Sequence, residues 1–145
     1  FDVEKDYEKA LEIMNRLHEK YPKNPYYISK VVEMAMMNND YSFADSLNRI
    51  MVKQHRDNLF IVMKSIIFKG IYDEKVKMDL AGAEKKFELG LKLSREFGNR
   101  AMEYQSYAYY GISRIAESRG DMKKAKENLK RAKDLNKNDL FAKNN

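Results

Sequence analysis

Lys123, Lys126, Lys130, Lys133 and Lys137 recur at steps of three and four, a spacing that places all five on one face of a helix. Lys124 and Arg131 flank this stripe. Such a row of cations has the chemistry to meet the phosphates of RNA or DNA, or an anionic lipid surface. No aromatic or glycine motif accompanies it, and lysines toward a helix end also suit the helix dipole. A solvated outer face is therefore the plainer reading of the same residues, and nucleic acid is the lesser alternative. His18 and His55 each fall near a predicted helix end. His18-Glu19 opens no His-Glu-x-x-His zinc motif, because Lys20, Tyr21 and Pro22 follow. Carboxylate pairs such as Asp73-Glu74 become a general acid and base only when buried in a cleft, and no spacing in this chain builds one. Glycine-rich phosphate loops and nucleophile elbows are absent, as is Cys, which removes disulfides, thiolate metal sites and a thiol nucleophile. These residues predict a protein that is not an enzyme and uses no cofactor or metal.

Composition is compatible with that expectation. A chain of 145 residues, 43% hydrophobic and 34% charged, is long enough for one domain with a continuous core. No apolar run approaches the length that spans a bilayer. The net charge of +6 falls mostly on residues from Arg100 onward. Lack of Cys does not distinguish one compartment from another, so localisation stays open. Opening on Phe1, with no signal peptide, the chain reads as a processed product or a piece of a longer repeat protein.

The elements that position these residues read as helices. Leu11, Met14, Leu17 and Tyr21 recur at helical spacing, and Pro22 blocks continuation, so residues 3–20 form the first. Asn24 caps a second with Pro25 at its first position, carrying Ile28, Val31, Val32 and Ala35 and ending at Asn38-Asn39. Asp40 or Ser42 caps a third through about His55. A fourth runs from Leu59 to about Tyr72 and is apolar nearly all round, as a central element would be. The fifth begins near Asp79, sets small Ala83 and Gly90 around bulky Phe87, and ends at Gly98-Asn99. The sixth covers residues 100–118, and Gly120-Asp121 turns into a seventh with Ala125, Leu129, Ala132 and Leu135. Residues 139–145 read as a polar tail with Leu140 and Phe141. The charges of Asp73 to Met78 predict an exposed, lengthened loop.

One short segment recurs. Asp6 to Ala10, Asp40 to Ala44 and Asp121 to Ala125 each open with Asp and place Ala fifth, and the first two lie 34 residues apart. That period belongs to stacked helix pairs. In the last unit Tyr109, Ile112, Ser113, Ala116, Gly120, Ala125, Leu129 and Ala132 follow a pattern of large, large, small, small, turn glycine, alanine, large and alanine. With Ile28, Val31, Ala35, Asp40, Tyr41, Ala44 and Met51 in the first complete unit and Pro22 before it, these residues resemble the tetratricopeptide repeat (TPR) family. Val32, Lys69 and the insertion after Asp73 depart from the pattern. The resemblance implies an all-α, right-handed α-solenoid of stacked antiparallel helix pairs, about seven helices in all. It divides the single domain 1–145 into a half repeat 1–24, a repeat 25–58, a repeat with insertion 59–99, a repeat 100–138 and the tail. Ala10, Ala44, Ala83 and Ala125 would sit where paired helices approach closely.

Function follows from the same resemblance. Such arrays line a concave groove with the first helix of each pair, which implies a noncatalytic scaffold holding a peptide or partner helix. The groove residues would be Tyr26, Lys30, Met37, Met63, Lys64, Tyr107, Tyr110 and Arg114. Aromatics, Met and Arg are types that binding surfaces favour. The competing reading is that Tyr104, Tyr107, Tyr109 and Tyr110 seal a long helix against its neighbours. Glu33 stands where a terminal-carboxylate clamp of this family wants Asn, so no such clamp is expected. Because the chain opens on an unpaired second helix, Leu11, Met14 and Leu17 want cover from upstream residues or from another copy, which leaves self-association open.

Overall fold

Several helices of this chain start or stop where the sequence supplies a cap or a break. The computed structural model describes residues 3–142, and among them all regular structure is helical, with no strand. Helix α1 (Val3–Lys20) stops as the Tyr21 N–H bonds back to the Leu17 carbonyl and Pro22 follows. Helix α2 (Pro25–Met37) begins with the Asn24 side chain accepting from the Tyr26 N–H at 3.0 Å and Pro25 at the first position. Asn39, at φ 63°, turns the chain into α3 (Tyr41–Gln54). Asp40 stands at the cap position of α3, but its side chain makes no capping bond. Helix α4 (Leu59–Tyr72) is followed by a π-helical turn, Asp73–Lys77. Asp79 then caps α5 (Leu80–Ser94) by accepting from the Gly82 N–H at 3.0 Å. A 3₁₀ segment (Arg95–Ala101) leads into α6 (Met102–Ser118), and α7 (Met122–Leu135) is capped by Asp121. Gly98, at φ 56°, lies inside the 3₁₀ segment, so α5 ends at Ser94, four residues before the glycine expected to stop it.

The chain divides into two compact units between Ser65 and Ile66, a boundary inside α4. In the first unit α1 packs on α2 and α2 on α3. Its core holds Ile28, Val31, Val32, Ala35, Met36, Ala44 and Met51, all 1% exposed or less. Val32, larger than the residue expected there, is accommodated fully buried. The Asn48 side chain donates to the Ser65 carbonyl at 3.0 Å and ties α3 to α4. Leu11, Met14 and Leu17 remain half-buried on α1.

The second unit is organised around Phe87. A Cβ added at Gly70 on α4 would lie 2.8 Å from its ring, and one at Gly111 on α6 2.4 Å, so the ring is seated between two helices that present bare backbone. Burying such a side chain contributes about 2–3 kcal/mol. Helix α5 packs on α6 and α6 on α7. The Ser113 hydroxyl donates to the Ala125 carbonyl at 2.7 Å, across the close approach that Ala125 permits. Among the described residues six helices pack on a chain neighbour in this way, where about seven stacked helices are expected.

Two expectations about exposure are corrected in this unit. Asp73 and Glu74 turn inward, 1% and 8% exposed, because Lys86 donates to Asp73 and Arg114 to Glu74. The polar tail hides an aromatic: Phe141 is 2% exposed. Residues 143–145 of the predicted tail, and residues 1 and 2 of the predicted half repeat, lie outside the described residues.

Candidate functional site

In the first unit the predicted binding residues separate into exposed and buried sets. Tyr26 and Met37, at opposite ends of α2, are 53% and 40% exposed. Lys30, one turn along from Tyr26, holds its Nζ 5.7 Å from the centre of the Tyr26 ring, within range of a cation–π attraction. The same ammonium lies 3.7 Å from Glu33. Met63 is fully buried and Lys64 is 7% exposed, so neither offers area to a ligand in this conformation. Lys64 is drawn inward by Glu33, 3.7 Å away and itself 2% exposed, and by the Phe60 ring at 5.6 Å. A carboxylate buried on α2 thus gathers one lysine from its own helix and one from α4. The Tyr27 ring lies 5.6 Å from that of Tyr26, the Tyr21 ring lies 6.0 Å from that of Tyr27, and Tyr21 is 46% exposed. Tyr21 reads in the sequence as one more apolar position of the first helix, and only its place beyond the end of α1 frees it for the surface.

In the second unit Tyr107, Tyr110 and Arg114 do fall on one face of α6, as their spacing requires. That face is covered. Tyr107 and Tyr110 are 1% and 2% exposed. The Tyr107 ring meets the Phe141 ring edge to face at 5.1 Å and the Tyr104 ring at 5.9 Å, while its hydroxyl donates to Glu103. The Tyr110 hydroxyl donates to the Asn136 carbonyl. Arg114 forks onto Glu74 with two bonds of 2.8 Å, and its Nη1 donates to Asp139 Oδ2 at 2.5 Å. Burial disfavours the charge on Arg114, but the Glu74 and Asp139 carboxylates outweigh it and hold the guanidinium firmly protonated. Lys75 beside it shows the opposite balance. Burial and the Arg114 charge push its ammonium below the usual lysine range, against the pull of Glu74 and Asp139. The three predicted residues are therefore brought together on one face of α6, with the segment after α7 lying on them.

The α7 stripe is laid out as a solvated face. Lys123, Lys126, Lys130 and Lys133 are exposed on α7, and Lys137, expected on the same helix face, is exposed beyond the helix end at Leu135. The flanking Lys124 is pulled aside by Glu84, which accepts from it at 2.9 Å, and Arg131 lies over the Tyr109 ring at 5.9 Å. The hollow between these residues mixes Glu88, Asp121 and Glu127 with Arg95, Lys123 and Arg131, so its field has no single sign.

His18 and His55, separated in sequence, come within electrostatic reach of one another. Burial first and the His18 charge second lower the His55 pKa below the usual histidine value. His18 Nδ1 and His55 Nε2 are both buried without a hydrogen-bond partner. Among the described residues no group of three His, Cys, Asp or Glu side chains is placed to hold a metal ion, and no helix is long and apolar enough to cross a membrane.

No protein-family model matches the sequence, and no characterised protein matches it.

Proposed function

We propose that this chain is a noncatalytic protein-interaction module of the tetratricopeptide kind, a right-handed solenoid whose concave groove holds an extended peptide or partner helix. One observation carries the reading. The α6 face on which the groove is expected already engages an irregular stretch of polypeptide, with an acid on Arg114 and an aromatic ring on Tyr107. On α2, Tyr26, Lys30 and Met37 add an exposed aromatic, a cation and a flexible thioether, the side-chain types that bring contact area and adaptability to a binding surface. The charged groups near α6 are engaged with one another, Arg114 with Glu74 and Asp139, and Lys86 with Asp73, an arrangement suited to holding shape. The second reading, contact of α7 with nucleic acid or an anionic surface, draws on the exposure of Lys123, Lys126, Lys130 and Lys133.

An array of immobilised randomised peptides, probed at low and raised salt, separates the two. Retention in raised salt that is lost in a Tyr26→Ala, Lys30→Ala, Met37→Ala variant supports the interaction module. Failure to retain any peptide, together with salt-sensitive binding of RNA that requires Lys126 and Lys130, would transfer the function to α7.

A further inference from the structure

The occupant of the α6 face has a chemistry that can be read. Asp139 and Phe141 are its anchors, two positions apart. Asp139 Oδ2 accepts from Arg114 Nη1 at 2.5 Å, and the Phe141 ring stands edge-on to Tyr107 at 5.1 Å. Leu140 between them is 43% exposed. Asp139 Oδ1 accepts from the Phe141 N–H at 3.0 Å, a local turn that sets the distance from acid to ring. The N–H groups of Asn138 and Ala142 also bond within the segment, to Asn136 Oδ1 and the Asp139 carbonyl. Asp139, Phe141 and the Asn136 carbonyl each tie it to α6.

Contacts outside that segment hold the receiving side as well. Glu74, in the π-helical turn, takes two guanidinium nitrogens of Arg114 and fixes its plane, leaving Nη1 to meet a further carboxylate. Tyr104 and Tyr107, edge to face at 5.9 Å, make an aromatic wall about two to three turns before Arg114, backed by Phe68 of α4 at 6.1 Å from Tyr104. A fixed cation beside a fixed aromatic wall is preorganised for an acidic and an aromatic side chain presented together.

We infer that this face is a receptor for a peptide carrying an acidic residue followed two positions later by an aromatic one. Asp139-Leu140-Phe141 holds it in cis, in competition with such a peptide from a partner protein. The inference rests on the reading of the chain as a peptide-holding module and names the ligand class of its α6 portion.

The test is fluorescence anisotropy with a labelled peptide of sequence Lys-Asn-Asp-Leu-Phe-Ala, which copies residues 137–142. Against the full chain carrying Asp139→Asn and Phe141→Ala, binding is expected to be about tenfold or more tighter than against the parent, because the competing segment no longer occupies the face. Replacing the Asp by Asn or the Phe by Ala within the peptide should weaken binding about tenfold or more. The peptide should also raise the Tm of the double variant, so the test survives partial unfolding of that variant. A folded double variant that binds no copy of the peptide, or binds original and substituted peptides alike, would overturn the inference. The randomised array separates the two levels of the proposal. Peptides retained by the double variant with no preference for the acid-x-aromatic pattern would overturn this inference and leave the interaction module standing, whereas no retained peptide would remove both. A parent that sediments as a dimer while the double variant is monomeric would assign the face to exchange of segments between two copies, and the partner-peptide assignment would fall.

Discussion

Arg114 and Glu74 lie forty positions apart in sequence and are joined by two hydrogen bonds of 2.8 Å. This fork binds the π-helical turn to the middle of α6 and leaves one guanidinium nitrogen to reach Asp139. Both partners are largely buried, so removing one strands the others.

Arg114→Met should therefore destabilise the second unit. Breaking a buried ion pair costs about 3–5 kcal/mol, and the 17% exposure of the Arg114 side chain brings the expectation to about 2–3 kcal/mol. Urea unfolding checks this. Glu74→Gln, which keeps an acceptor for the guanidinium, should cost less than Arg114→Met, and equal costs would mean that charge rather than geometry dominates the fork.

Gly111→Ala should cost about 1–3 kcal/mol, because the added methyl lies 2.4 Å from the Phe87 ring and the ring is held on its other side by Gly70. Pairing Gly111→Ala with Phe87→Leu should recover part of the loss. Thermal melts of the single and double variants measure the coupling. Additive losses would mean that the cost of the added methyl does not come from the Phe87 ring.

Ala125→Leu should lose about 1–3 kcal/mol for a related reason. Ala125 is 5% exposed, and its carbonyl accepts from Ser113 across the α6–α7 approach, so a longer side chain forces those helices apart. A variant as stable as the parent would show that Ala125 is not at the closest approach. Ala44→Leu on α3, fully buried, should behave alike in the first unit.

The first unit should weaken in mild acid through His55. Burial, then the charge of His18, lowers its folded pKa below 6.5. Folding thus favours the neutral ring, while the unfolded chain takes up a proton near 6.5. The His55 contribution is complete above that value, is lost as pH falls from about 6.5 toward the lowered folded pKa, and is level below it. Melting temperature followed between about pH 5 and 7.5 should show this slope, and His55→Gln should flatten it. An unchanged slope in that variant would assign the effect elsewhere.

The helical character of the chain was legible residue by residue. Asn24-Pro25, Asp79 and Asp121 start helices where their side chains reach the next free N–H groups, and Pro22 and Gly120 end them. The small residues around Phe87 were legible too, at Ala83 and Gly90 on its own helix, but the glycines that receive its ring, Gly70 and Gly111, lie on other elements. The candidate site was less legible for the same reason. Periodicity puts Tyr107, Tyr110 and Arg114 on one face without saying what lies over it, and the covering residue, Phe141, sits in a segment with no period at all. Asp73 and Glu74 look solvent-directed because local charge density argues exposure, while the cations that draw them inward are 13 and 40 residues away. Met63 and Lys64 were expected to line a groove, but α4 is apolar nearly all round and Glu33 gives Lys64 a reason to turn in.

The most direct test of the interaction module maps backbone amide shifts by NMR on the isotopically labelled full chain, titrated in turn with an array-selected peptide and with a short single-stranded RNA. Peptide binding should move amides of α2 between Tyr26 and Met37 and of α6 around Tyr107 to Arg114, and should persist in raised salt. Peptides that move neither helix, with RNA moving Lys123 to Lys133 in a manner abolished by salt, would contradict it.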